Sequence, residues 1–175
     1  MMLYRSITIS LFLLIMAPLN AGAATDNVCY TCHARSEFRG RVVHQPLASG
    51  SCVSCHNPHV ARYEGLLDKK EAALCYSCHT DRWGESEPDK VHRPVLQGKC
   101  LACHEPHASD GEKLLKTDME SSCYSCHEGL SREYDHTHQP YGQGQCFSCH
   151  RPHESAFDQL LKDEPDNVCF SCHGM

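Results

Sequence analysis

The sequence Cys-x-x-Cys-His occurs seven times in this chain and constrains its fold more than any other feature. The copies begin at Cys29 and recur at intervals of 23, 23, 25, 23, 23 and 23 residues. They use all fourteen cysteines, and in each copy a histidine directly follows the second cysteine. A nearly fixed period of this length indicates repeated small units rather than one continuous side-chain core.

The seven copies alternate between two kinds, here called type A and type B. A type A copy has an aromatic residue after its first cysteine, as at Tyr30. A type B copy is preceded by His-x-Pro-x-x-x-Gly and followed by x-Pro-His. A type B copy and the next type A copy form one unit. The sequence thus predicts three units, at residues 44–79, 92–127 and 138–173, after a lone type A copy at Cys29.

Cys-x-x-Cys-His is the attachment signature of c-type haem, in which both cysteines become thioethers and the histidine binds the iron. Seven copies predict seven covalently bound haems c. Zinc sites would use such motifs in pairs, and a disulfide scaffold would not explain the fixed histidine. The predicted thioether residues are Cys29, Cys32, Cys52, Cys55, Cys75, Cys78, Cys100, Cys103, Cys123, Cys126, Cys146, Cys149, Cys169 and Cys172. The predicted proximal iron ligands are His33, His56, His79, His104, His127, His150 and His173.

Seven histidines remain, which is the number needed if every iron has a second histidine ligand. Six of them recur at fixed offsets from the motifs. Because His59 follows its own proximal histidine by only three residues, we expect it to bind a neighbouring haem, and the same holds for His107 and His153. The predicted distal ligands are His44, His59, His92, His107, His136, His138 and His153.

His136 is the only member of this set that does not repeat. The other units have Val42 and Lys90 at its position. One type A haem lies outside the three units, and His136 is the one histidine outside the repeat, so we expect it to serve a terminal haem. Met119 and Met175 are alternative ligands.

The beginning of the chain resembles an export signal. Arg5 is followed by an apolar run over residues 7–19 and by Ala21-Gly22-Ala23, a small-residue cleavage site. This pattern predicts a cleaved signal peptide at 1–23 and a mature haem domain at 24–175 without a transmembrane segment. The expected location is the periplasm, with the extracellular side as the alternative.

The composition of residues 24–175 favours a core made of cofactor. This part has no isoleucine, and apolar residues other than cysteine make up just over a quarter of it. Such a chain cannot bury enough side-chain surface to fold as an ordinary globular domain. We expect mostly irregular structure with short α-helices, little or no β structure and an extended haem chain as the core. The double-leucine segments that follow the type B copies, such as Glu112–Lys116, are expected to be short helical stretches. The net charge of −6 argues against a nucleic-acid partner.

Two histidine ligands leave an iron no open position for a substrate, which favours electron transfer over catalysis. No catalytic residue is therefore predicted. An alternative is a multihaem reductase in which one iron lacks its distal ligand. A third hypothesis is that the chain is the subunit of an extracellular cytochrome filament. The similar type A copies at Cys29 and Cys169 permit it.

The chain resembles the multihaem cytochromes c with the doubled Cys-x-x-Cys-His motif. The resemblance rests on Cys52-x-x-Cys55-His56-x-Pro58-His59, Leu66-Leu67 and Cys75-Tyr76-x-Cys78-His79, and on two later copies of this pattern. It implies bis-histidine ligation and a loop-rich fold. It also implies redox partners: a membrane quinol-oxidising cytochrome as donor, and a terminal reductase, such as nitrite reductase, or an outer-membrane conduit as acceptor.

Overall fold

The computed structural model describes residues 27–79, 87, 90–128 and 134–174. The predicted signal peptide at 1–23 lies outside them. The described part is mostly irregular, with short helices, single 3-10 turns and one two-stranded ribbon, which confirms the predicted fold class. The α-helices are α1 (Gln45–Ala48), α2 (Glu71–Cys75), α3 (Arg93–Leu96), α4 (Met119–Tyr124), α5 (Gln139–Gly142) and α6 (Pro165–Phe170), and the strands are β1 (Val42–Val43) and β2 (Ala108–Ser109). The 3-10 turns are Val28–Thr31, Arg35–Phe38, Cys52–Ser54, Glu64–Leu66, Cys100–Ala102, Glu112–Leu114, Cys146–Ser148 and Asp158–Leu160.

Each unit opens with a one-turn helix that follows its first histidine. The helices α1, α3 and α5 have proline in their first turn, where the missing amide hydrogen is not needed. Each ends before a glycine with positive φ, at Gly50 (71°), Gly98 (67°) and Gly144 (65°). Glycine ends a helix this way because it adopts the left-handed conformation without strain. These prolines and glycines therefore fix where the histidine and the following motif lie.

Consecutive units are joined by short antiparallel ribbons. Strand β1, which directly precedes the first unit, pairs with β2 of the second unit, with Val42 opposite Ser109 and Val43 opposite Ala108. A single bridge between Val91 and Glu154 joins the second unit to the third in the same way. We call these two pairings the junction ribbons.

Side chains bury very little surface in this fold. Among the described residues, the only buried hydrophobic is Val91 (6% exposed), and the buried polar residues are Ser155 (7%) and Ser109 (9%). Val91 and Ser109 lie in the junction ribbons, and Ser155 is next to the second one. No helix of the described part is long and apolar enough to cross a membrane. The ribbon regions thus contain the most buried residues of the described part of the polypeptide.

The segment after each type B copy differs from the sequence prediction. The double-leucine segments, such as Glu112–Lys116, were expected to be short helical stretches. Instead, Lys113 and Leu114 have φ of 54° and 61°, and Gln159 and Leu160 repeat this left-handed turn. The expectation was wrong because the sequence signals this turn only in the first unit, where a glycine, Gly65 (φ 69°), occupies the position of Lys113.

Lys113→Gly should stabilise the folded protein. A left-handed conformation costs a non-glycine residue about 1–2 kcal/mol, and the extra flexibility of glycine in the unfolded chain offsets about 0.5–1 kcal/mol of the gain. The net gain of about 0.5–1 kcal/mol should appear as a higher guanidinium midpoint of the haem-loaded protein. Gly65→Ala is the matched control and should lower the midpoint; the reverse order of the two variants would contradict the strain.

Candidate haem-binding sites

All seven Cys-x-x-Cys-His motifs share one backbone turn. In each, the histidine amide donates a hydrogen bond to the carbonyl of the first cysteine, at 2.9–3.1 Å. This is the i to i−4 bond of an α-helical turn. The turn is common to both types, although the type A copies at Cys75, Cys123 and Cys169 lie at the end of an α-helix, whereas the type B copies and the type A copy at Cys29 lie in 3-10 turns. The motifs therefore present their two cysteines and histidine in one repeated arrangement, as covalent haem attachment requires.

The left-handed turns orient the proximal histidines of type B copies. The Nδ1 atom of His56 donates to the carbonyl oxygen of Gly65 at 2.7 Å. His104 and His150 donate in the same way to Lys113 and Gln159, each at 3.0 Å. Engaging Nδ1 fixes the tautomer and leaves Nε2 unprotonated to bind a metal. The left-handed turns thus hold the predicted proximal histidine in an orientation suited to metal binding.

Five predicted proximal histidines lie next to five predicted distal ones. An ion bound by two imidazole nitrogens at about 2 Å holds the two ring centres about 6 Å apart. The observed separations match this value, so the pairs fit an iron between their rings. They are His44 with His79 (6.1 Å), His56 with His107 (5.9 Å), His92 with His127 (6.2 Å), His104 with His153 (6.0 Å) and His138 with His173 (5.9 Å).

The pairs follow one rule. The first histidine of a unit lies beside the type A proximal histidine of the same unit, as His44 does beside His79. The histidine of x-Pro-His lies beside the type B proximal histidine of the preceding unit, as His107 does beside His56. The first two units are therefore each linked to the next through a histidine pair.

The distal histidines are also held by backbone carbonyls. The Nδ1 atom of His44 donates to Pro106 at 2.8 Å, and that of His92 to Pro152 at 3.0 Å. Burial lowers the pKa of His92, and burial followed by the neighbouring proximal histidine lowers the pKa of His107 and His153. A lower pKa favours the neutral imidazole, which is the form that binds a metal.

The other four histidines are not brought into such pairs among the described residues. They are the proximal His33 and His150 and the distal His59 and His136. The ring of His33 lies 6.4 Å from that of Phe38, and the amide of His59 bonds to the side chain of Asn57. His33 and His59 lie at the first two motifs, and His136 and His150 lie at the sixth.

The first six motifs lie near one another through their cysteines. Burial and the adjacent Cys29 thiol raise the pKa of Cys52. Burial and the adjacent Cys100 raise the pKa of Cys75 to about 12, and burial and the adjacent Cys146 raise that of Cys123 to about 11. Burial and the nearby Cys78 raise the pKa of Cys55. Burial and the nearby Cys126 raise the pKa of Cys103 in the same way. The cysteines of the first six motifs therefore follow one another in space in their sequence order.

Sequence reasoning missed the carbonyl groups that orient the histidines. Gly65 gave a weak signal, because an isolated glycine can indicate a turn. Lys113 and Gln159 gave none, because their left-handed conformation is set by tertiary contacts. Pro106 and Pro152 are visible in the x-Pro-His pattern, but nothing in the sequence shows that their carbonyls reach back to the preceding unit.

The motif geometry and the fold define a multihaem c-type cytochrome, a protein that carries electrons on haem c bound at Cys-x-x-Cys-His motifs. Residues 44–82, 92–132 and 138–175 match the sequence model of the doubled CXXCH motif. Since these matches cover more than half of the chain, the protein belongs to the doubled CXXCH motif family.

A similar protein is the multiheme cytochrome MtrA of Shewanella baltica (strain OS185). It is 38% identical over 58 residues, which are 31% of this chain and 17% of that cytochrome. The chain therefore matches well under two thirds of this relative.

Proposed function

We propose that the protein is a seven-haem, bis-histidine electron carrier of the periplasm. The observation that carries this proposal is the set of five histidine pairs with ring centres 5.9–6.2 Å apart. Each pair supplies two neutral nitrogen donors to one iron, and haem supplies a one-electron redox couple there. Two nitrogen ligands without a methionine sulfur favour a low reduction potential.

The contacts between consecutive motifs support conduction along the chain. Cys29, Cys75 and Cys123 each lie next to the first cysteine of the following copy. Cofactors attached at adjacent cysteines are held close together, so the polypeptide fixes a row of redox sites. The chain's own residues thus attach, space and ligate the cofactors, and none is assigned to bond making or breaking in a substrate.

Location and partners follow from the predicted signal peptide at 1–23 and from the family. We infer export to the periplasm, where haem attachment takes place outside the cytoplasm. The proposed donor is a membrane quinol-oxidising cytochrome, and the proposed acceptor is a terminal reductase or an outer-membrane conduit in anaerobic-type respiration. The likeness to a multiheme cytochrome supports a redox protein as partner.

Carbon monoxide binding tests the carrier function. The protein is produced with a haem-maturation system, its haems are counted by mass spectrometry, and the reduced form is exposed to carbon monoxide. We expect seven haems, one for each motif, and no change in the absorption spectrum, because carbon monoxide needs an open iron position. A response from one haem would instead favour the reductase alternative, for which His33 and His150 are the candidates, since neither is paired with a second histidine among the described residues.

The rate of electron transfer to the physiological partner should fall as ionic strength rises. The polypeptide has a net charge of −6, and the haem propionates add further negative charge, so docking should depend on attraction to a basic surface. Stopped-flow rates measured from low to physiological salt test this. A small neutral reductant is the control, and its rate should not change; a partner rate that is indifferent to salt would contradict charge-steered docking.

A further inference from the structure

The polypeptide covers its type A and type B motifs to different extents. In the two type A copies inside the chain, the second cysteine and the histidine after it are exposed; these residues are Cys78, His79, Cys126 and His127. In the type B copies that precede them, the same positions are half-buried; these residues are Cys55, His56, Cys103 and His104. Among these positions of the type B copies, only His150 in the third unit is exposed. Because the second cysteine marks one edge of an attached haem, the chain leaves that edge open at type A haems and partly covers it at type B haems.

The segment behind each left-handed turn covers the type B copies. In the first unit, the amide of Asp68 donates to the carbonyl of Cys55 at 3.0 Å, and His56 forms a β-bridge with Leu67. The second unit repeats both contacts with its residues 115–116, and the hydrogen bond there is 2.9 Å long. The chain thus folds back over the second cysteine and the histidine of a type B copy.

The histidine pairs of the first two units show the same difference. Both histidines of a type B pair are half-buried, whereas a type A pair has an exposed proximal histidine and a half-buried distal one. The type B pairs are His56 with His107 and His104 with His153, and the type A pairs are His44 with His79 and His92 with His127. Electron transfer between two molecules weakens steeply with distance, so it favours the haems that the polypeptide covers least.

Two type B copies lie between type A copies in space. Cys52 is next to Cys29 of the copy before it, and Cys55 is near Cys78 of the copy after it. The type B copy of the second unit has the same two kinds of neighbour. A haem attached at either copy is therefore placed to link two type A haems without meeting a partner itself.

A small hydroxyl residue lies at the exposed edge of every type A copy. It directly precedes the second cysteine, and its hydroxyl donates to the carbonyl three residues earlier at 2.6–2.8 Å. The same oxygen lies 3.8–4.0 Å from the sulfur of that cysteine. These residues are Thr31, Ser77, Ser125 and Ser171, and all four are exposed. A short side chain held against its own backbone leaves room for another protein close to the attachment sulfur.

The charge around two type A copies indicates the kind of surface that fits there. Residues 117–128 and 163–173 surround the copies at Cys123 and Cys169, and each segment has three acidic residues and no lysine or arginine. The whole chain also has a net charge of −6. Opposite charges speed the encounter of two proteins and orient them. A basic surface is therefore the complement of these edges.

We propose that electrons enter and leave the protein through its type A haems, at the edge marked by the second cysteine, and that the type B haems are covered links between them. This inference rests on the proposed electron-carrier function. The partner is a redox protein whose exposed cofactor edge has a basic rim. Charge steers this partner to the type A edge, and the small hydroxyl residue lets the two cofactor edges come close.

The test adds an arginine beside the second cysteine of either type of copy in the haem-loaded protein. The type A variant combines Thr31→Arg, Ser77→Arg, Ser125→Arg and Ser171→Arg. The type B variant combines Ser54→Arg, Ala102→Arg and Ser148→Arg, which are exposed at the same motif position, with the exposed Gln97→Arg added to match the charge. Each reduced variant is mixed in a stopped-flow instrument with a ferric single-haem cytochrome c of basic surface, which takes one electron from a ferrous haem. The type A variant should react about tenfold more slowly than the type B variant. Equal rates, or a slower type B variant, would overturn the inference.

Mass spectrometry and electron paramagnetic resonance show whether both variants keep their haems in the low-spin state. Alanine at the same four type A positions is the control for the lost hydroxyl bonds and should keep the wild-type rate. High-spin iron in wild type would contradict the proposed function itself, whereas equal rates in fully low-spin variants would contradict only this inference.

A second measurement needs no variant. A neutral gadolinium chelate is added to the wild-type protein, and the nuclear magnetic resonance signals of the haem methyl groups are recorded. The chelate broadens the signals of groups that it can approach. The seven motifs comprise four type A and three type B copies, so four haems should broaden strongly and three should be protected. Uniform broadening, or a majority of protected haems, would overturn the inference.

Discussion

The chain should fail to fold when haem is not attached. Produced without haem maturation, residues 24–175 should give a far-ultraviolet circular dichroism spectrum without helical features and no cooperative thermal transition. Val91 is the only buried hydrophobic residue among those described, whereas ordering each residue costs about 1–2 kcal/mol of conformational entropy. Side chains alone cannot offset that cost, so the cofactors must contribute most of the buried apolar surface.

Removing single haems refines this expectation. Cys100→Ala with Cys103→Ala takes away a central cofactor and should destabilise much of the fold. Cys169→Ala with Cys172→Ala removes the last cofactor, whose cysteines are exposed, and should have a smaller effect. A cooperative unfolding transition in the haem-free chain would show that the polypeptide has a core of its own.

His107→Met should slow electron transfer along the array. His107 lies 5.9 Å from His56 in ring-centre distance, and their pair belongs to a site inside the row. Methionine in place of histidine raises the reduction potential of a haem. A rise on the order of 0.1 V, within the range of about 0.8 V that axial ligands span, makes this site an electron trap. Electron transfer out of this haem should slow about fifty-fold, since a difference of 59 mV corresponds to a factor of ten for one electron.

Protein-film voltammetry with spectroelectrochemical titration measures both effects. One haem should titrate at a higher potential, and intramolecular electron transfer should be slower. Glu105→Gln is the matched control, because its carboxylate lies 3.8 Å from Nδ1 of His107 without being a ligand. Its potentials should stay close to those of wild type. An unchanged rate in His107→Met would mean that electrons bypass this site.

The attachment sites could be predicted from sequence because the chemistry of c-type haem is local. Two cysteines two residues apart and an adjacent histidine must lie in one turn, so they must be close in sequence. The repeat also predicted the unit boundaries and the irregular fold, since proline and glycine at fixed offsets end each first helix after one turn. The end histidines His59 and His136 could be counted as candidates but not assigned.

What the sequence by itself determined is therefore the class of cofactor, the cysteines predicted to attach it and, for the described residues, the lack of an ordinary side-chain core. The tertiary structure decided which histidines face each other. His107 lies beside His56 rather than beside His104, which is nearer to it in sequence. This pairing depends on the ribbon between Val42–Val43 and Ala108–Ser109. The physical reason is that an iron is shared by two ligands distant in sequence, and only the folding of one unit against the next brings them within binding distance.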